Sequence, residues 1–168
     1  MKSERVRRLA LCALLTAMAL TIFVVEAQFP LPVPVPGMKL GLSNIVTLFA
    51  LAVFGWKEAL AILVVRVFLG NIVTGQMISL FYSLAGGLFS FLCMALILRV
   101  LKRNQLWVAG VIGGVAHNIG QMTLAVALTQ TPALLAYLPV LMLCGIGTGA
   151  LTGLCAQLLH QKLRRFFS

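Results

Sequence analysis

Apolar segments follow one another along almost the whole chain, and basic residues mark where most of them stop. Leu9–Gln28 follows Lys2, Arg5, Arg7 and Arg8, and a short second segment over 40–55 ends at Trp56-Lys57. A third over 58–75 leads into a fourth over 77–98, which runs into Arg99, Lys102 and Arg103. A fifth over 106–128 is followed, after a break holding Pro132, by a sixth over 137–160, and Lys162, Arg164 and Arg165 close the chain. A hydrocarbon solvent offers backbone N–H and C=O groups no partner, so segments of this kind satisfy themselves as helices. The pattern predicts an all-α fold: one polytopic membrane domain over 1–168, a bundle of six transmembrane helices.

The balance of residues agrees. Charged residues make up 10% of the chain, where soluble domains carry about a quarter, and the mean hydropathy is +1.08. A formal charge of +10 could suggest nucleic acid. The 13 basic residues, however, sit mostly between apolar blocks, with no basic domain and no aromatic-interleaved patch, so nucleic-acid binding is not expected. Counted over alternate loops, eleven of them fall on the side of the N-terminus and only Lys39 on the other, with Arg66 inside a segment. By the positive-inside rule both termini face the cytoplasm. A cleaved signal peptide was weighed against this, because Val25-Glu26-Ala27 loosely fits a cleavage site. The 17 apolar residues of Leu9–Val25 exceed the usual signal core, so the first segment is expected to stay as a helix.

Several chemistries lack their residues. There is no aspartate, and the only glutamates are Glu4, Glu26 and Glu58. Clustered carboxylates for magnesium or acid–base work are therefore missing. Cys12, Cys93, Cys144 and Cys155 lie in apolar segments without CxxC spacing, and read as small buried hydrophobes. No metal and no cofactor is expected, and no GxxxxGK[ST] loop is present for ATP.

Polar groups inside the apolar segments carry the functional signal. Arg66 lies eight residues into the third segment, about 12 Å along a helix. Insertion there costs about 2.5–3.5 kcal/mol, so it should face the bundle, paired with Glu26, helix carbonyls or an anionic ligand. His117 and Gln121 share a helix face, with Asn118 about 100° around. Ser43 and Asn44 open the second segment, Lys39 stands at its mouth, and Asn71 approaches the same side. Interhelical hydrogen bonding would explain the fifth-segment residues without a ligand, whereas a polar cavity open to a solute would explain all of them.

Small residues predict packing. Ala13 and Ala17 lie one turn apart on the first segment, Gly110 and Gly114 on the fifth, and Gly145, Gly149 and Gly153 form a stripe on the sixth. Such stripes pack helices of one chain, or dock a membrane partner. Between the first two segments, Pro30, Pro32, Pro34 and Pro36 stiffen the loop Phe29–Asn44, either as a spacer or as a lid over the polar residues.

Four blocks carry a resemblance. Pro36-Gly37-Met38-Lys39-Leu40-Gly41-Leu42-Ser43-Asn44-Ile45-Val46-Thr47-Leu48, Arg66-Val67-Phe68-Leu69-Gly70, Ser83-Leu84-Ala85-Gly86-Gly87 and His117-Asn118-Ile119-Gly120-Gln121 resemble the Gx transporter family, also catalogued as heptaprenyl diphosphate synthase component I. That family is similar to the substrate-binding S components of energy-coupling factor transporters. The resemblance implies a multi-pass protein of the bacterial cell membrane that binds a small-molecule solute among membrane lipid. It further implies a transmembrane coupling subunit and two ATPase subunits as partners, with Ala13 and Ala17 matching the alanine motif that docks the coupling subunit. S components commonly close an outer loop over the ligand, which favours the lid. Glu26, Lys39, Asn44, Arg66, Asn71, His117, Asn118 and Gln121 are then the expected binding residues. The other catalogue label implies a subunit in heptaprenyl diphosphate synthesis. Without aspartate this chain cannot hold magnesium against a diphosphate as chain-elongating synthases do, so on that label it is a noncatalytic partner.

Overall fold

The computed structural model describes residues 2–29, 38–101 and 103–167. The proline-rich stretch 30–37, and with it the choice between lid and spacer, lies outside the described residues. Six α-helices account for most of the rest: α1 (Lys2–Glu26), α2 (Asn44–Val53), α3 (Trp56–Thr74), α4 (Met77–Ile97), α5 (Leu106–Thr129) and α6 (Leu138–Phe167). Short 3-10 turns at Arg103–Gln105 and Pro132–Tyr137 lead into α5 and α6. No strand occurs among the described residues.

Four helical segments are long and apolar enough to cross a membrane: Glu4–Glu26, Met77–Ile97, Leu106–Thr129 and Pro132–Leu163. The two remaining helices differ for separate reasons. The second segment was expected to be helical from residue 40, but α2 starts only at Asn44, because the chain turns at Gly41 with φ +81°. It ends before Gly55, whose φ of +100° breaks the helix. Its 10 residues span about 15 Å, half of a bilayer's hydrocarbon thickness. Helix α3 has the length, at 19 residues, but carries Lys57, Glu58 and Arg66.

Helix α2 is central. Helices α1, α3, α4, α5 and α6 follow one another around it, each touching the next. All five touch α2. Its Val46, Leu48, Phe49 and Ala50 are buried together with Leu15 and Ala19 of α1, Ile62, Leu63 and Val67 of α3, and Phe91 and Met94 of α4. A second apolar cluster of Met38, Tyr82, Met122, Ala125, Leu134 and Leu141 ties the segment before α2 to α4, α5 and α6. The outward faces are apolar as well, with Phe68, Ile72 and Val73 on α3, Ile78, Phe81 and Leu96 on α4, and Leu143, Leu151 and Leu158 on α6 all exposed. An apolar exterior of this extent suits hydrocarbon as solvent.

The glycine stripe of α6 packs within the chain. A Cβ on Gly149 would stand 2.5 Å from the Gly110 carbonyl oxygen, and one on Gly145 2.9 Å from that of Gly114. Backbones of α5 and α6 therefore touch along three turns, as small-residue seams allow. Gly147, on the far side of α6, has open space around it.

Candidate functional site

The chain gathers its polar side chains where the end of α1, the segment before α2 and the middles of α3 and α5 meet. Phe23 and Glu26, three residues apart and so on one face of α1, point inward. Gly41 brings the chain against α5, since any Cβ there would lie 2.8 Å from the His117 ring. Its own N–H donates to Glu26 Oε1 at 2.5 Å. On the opposite side, Gly86 lets α4 approach α5, a Cβ there standing 2.6 Å from Gln121 Cγ.

Arg66 reaches across from α3 and is 2% exposed. Its guanidinium donates from Nη1 to Ser43 Oγ and from Nη2 to Asn44 Oδ1, the latter at 2.7 Å. Asn44 in turn donates to Ser90 Oγ of α4 at 3.3 Å. Of the candidate partners named for Arg66, Glu26 forms no ion pair with it; its guanidinium instead forks onto the start of α2. Arg8 pairs with Glu58 at 3.5 Å, partly exposed. The physical reason is reach: Glu26 is engaged by the Gly41 amide, and the Ser43 and Asn44 oxygens lie closer to the arginine fork.

Lys39 is 5% exposed, with its ammonium 3.4 Å from the centre of the Phe23 ring. Burial pushes its pKa down to about 8 from 10.5; the Glu26 carboxylate opposes that shift and the Arg66 charge adds to it. Its backbone N–H donates to Gln121 Oε1 at 3.3 Å. That bond orients the Gln121 amide, so its Nε2 donates to His117 Nε2, 3.0 Å away. His117 Nε2 is thus an acceptor, and the ring is neutral with its proton on Nδ1.

These groups enclose a cavity of about 10 Å³ lined by Phe23, Glu26, Lys39, Gly41, Ser43, Arg66, Ser83 and His117. That is room for about one water molecule. Four atoms of the lining residues have no hydrogen-bond partner among the described residues: Glu26 Oε2, Lys39 Nζ, Arg66 Nε and His117 Nδ1. Three are donors and one is an acceptor, so the cavity is built to hold a small acceptor group.

Of the residues expected at a site, Glu26, Lys39, Arg66 and His117 line this cavity, while Asn44 and Gln121 hold Arg66 and His117 in place. Two lie elsewhere. Asn71 donates to the Val67 carbonyl one turn back on α3, and Asn118 donates to the Leu141 carbonyl of α6 at 2.6 Å. Asn118 thereby ties α5 to α6, in the manner of an interhelical hydrogen bond. Ala13 and Ala17 are exposed on the outer side of α1, away from the cavity. Phe23 and Ser83 were not anticipated as lining residues; the spacing of Phe23 from Glu26 is the signal that could have found the first. No three His, Cys, Asp or Glu side chains gather as metal ligands among the described residues.

The chain is all-helical over the described residues, with four helices long and apolar enough to cross a membrane and a buried cluster of charged and amide side chains between its helices. Its sequence matches the model of a family over residues 15–159. The chain belongs to the family described as heptaprenyl diphosphate synthase component I. No curated protein and no solved structure matches it.

Proposed function

We propose that this chain is a membrane-embedded binding subunit that captures a small anionic solute and passes it on with the help of partner proteins. The observation that carries this reading is that Lys39, Arg66 and His117 line one small cavity, and that Lys39 Nζ, Arg66 Nε and His117 Nδ1 are buried without a hydrogen-bond partner among the described residues. Packing alone does not require an arginine and a lysine inside an apolar bundle, where each carries a cost of several kcal/mol (roughly 2.5–3.5 on insertion scales). In this reading all six helices sit in the bacterial cell membrane with both termini cytoplasmic. The short α2 and the charged α3 complete the bundle from within, and the cavity lies toward the outer side. The chain supplies no catalysis, having no aspartate and no phosphate-binding loop, so energy comes from two ATPase subunits through a coupling subunit.

Ala13 and Ala17 are the proposed docking point. Both are exposed on α1, so a partner helix can approach closely there. Tryptophan at both positions removes co-purification of a coupling subunit while leaving solute binding intact. Solute binding itself is tested by ligand retention on the purified protein: Arg66→Ala and His117→Ala each weaken it, and retention undiminished in both would remove the site assignment.

The family's description favours a second reading, a noncatalytic subunit associated with heptaprenyl diphosphate synthesis. Affinity purification from membranes separates the two. Recovery of a soluble prenyl synthase without any ATPase supports the second, and recovery of ATPases with a coupling subunit supports the first.

A further inference from the structure

At the other end of the bundle, the last turn of α2, the first residue of α3 and the end of α4 leave an open groove of about 440 Å³. Its lining residues are Leu51, Trp56, Ala95, Leu98 and Arg99. That volume is within the range of about 300–1,000 Å³ usual for small-ligand sites. The start of α1 lies on the same face, since Arg8 meets Glu58 of α3 there at 3.5 Å. Arg99 is exposed just beyond α4, where its backbone N–H donates to the Leu96 carbonyl at 3.1 Å and the turn holds it against the helix end. Trp56 is exposed as well, with the Lys57 ammonium 5.7 Å from its ring centre. No lining residue is acidic, and the carboxylate nearest to Trp56 along the chain, Glu58, is engaged by Arg8.

We propose that this groove binds an anionic phospholipid from the leaflet on that face, with its phosphate on Arg99 and its upper acyl chains against Leu51, Ala95 and Leu98. This rests on the membrane placement proposed above and is independent of the solute site. Aliphatic walls, an interfacial indole and a guanidinium match a ligand that joins a phosphate to a hydrocarbon tail. A free phosphate gains nothing from the leucines, and an apolar partner helix leaves the guanidinium without a counter-charge. By the loop count, eleven basic residues against Glu4 and Glu58 fall on this side, so anionic lipid is drawn to the face as a whole. The planar fork of Arg99 then fixes where the headgroup sits.

Tryptophan quenching in phosphatidylcholine proteoliposomes tests the proposal. Trp107→Phe leaves Trp56 as the single tryptophan, and dibrominated phosphatidylglycerol and dibrominated phosphatidylcholine are the probes, compared at equal mole fraction and ionic strength. The phosphatidylglycerol is expected to associate at Trp56 about fivefold more strongly. Arg99→Gln removes most of that preference, whereas Arg5→Gln, an exposed cation on the same face outside the groove, leaves it unchanged. Equal association of the two lipids, or a preference that Arg99→Gln does not lower or Arg5→Gln lowers as much, overturns the headgroup site and leaves the membrane placement standing. The converse chain, Trp56→Phe, reports from Trp107 at the start of α5, which is 45% exposed. Quenching of Trp107 but not of Trp56 shows the groove covered by protein, a second copy included, and overturns the proposal alone. Quenching of neither tryptophan overturns the membrane placement with it.

Discussion

Lys39 is where the site meets the pH of its surroundings. Burial holds its pKa near 8, so at pH 7 it is cationic and contributes to anion affinity. As pH rises through about 8 that contribution is lost, and anion affinity falls. The effect on folding has the opposite sign. Between about 8 and 10.5 the unfolded chain still holds the Lys39 proton that the folded chain has released, so Lys39's share of folding stability rises with pH in that window. Titrating acetate binding and thermal midpoint together from pH 7 to 9 therefore shows affinity falling in the wild type, a fall that Lys39→Gln, which keeps a donor without the charge, does not show. An affinity independent of pH in both proteins would place Lys39 outside the site. That Arg66 would turn inward was legible in the sequence, because a charge in such a segment is too costly to be left facing lipid. Which groups Arg66 would contact was not legible, since the fork onto Ser43 and Asn44 depends on the turn that Gly41 makes.

Among the elements, α5 and α6 show how far spacing alone leads. The four-residue glycine spacing announced a seam, more often one within a chain than a docking face, but not its partner. The structure pairs Gly110 and Gly114 with Gly145, Gly149 and Gly153 inside the chain. Gly149→Ala therefore pushes a methyl group against the Gly110 carbonyl and is expected to cost about 1–3 kcal/mol, seen as a lower thermal midpoint. Gly147→Ala, with nothing within 4 Å, is expected to be neutral or to stabilise α6 by up to about 1 kcal/mol through helix propensity. Equal effects at the two positions would argue that the seam is loose. Helix α2 marks the limit of reading by apolar length. Its segment looked like a short span, yet the helix is a central plug whose buried face meets all five neighbours. No periodicity in ten residues distinguishes those two roles.

At the scale of the molecule, the number of apolar segments and the all-helical class were plain in the sequence, because a bilayer leaves a chain of this hydropathy few alternatives. The site was partly plain. Glu26, Lys39, Arg66 and His117 come together from four separate parts of the chain, while Asn71 and Asn118 are spent on helix carbonyls. A polar side chain inside an apolar segment signals a partner without saying whether the partner is protein or ligand. Orientation can be checked directly. In a chain with its cysteines replaced, a thiol at Thr131, exposed after α5, is labelled from outside intact cells, and one at Asn104 only after permeabilisation. The reverse pattern would turn the molecule over and place the cavity toward the cytoplasm.

The central claim is that Arg66 and its neighbours hold an anionic group from a solute. Native mass spectrometry of the protein released gently from its own membranes tests it most directly. The account predicts a retained small molecule or ion bearing an anionic group in the wild type, lost from Arg66→Ala. A retained species without any anionic group, or one that persists undiminished in Arg66→Ala, would contradict it.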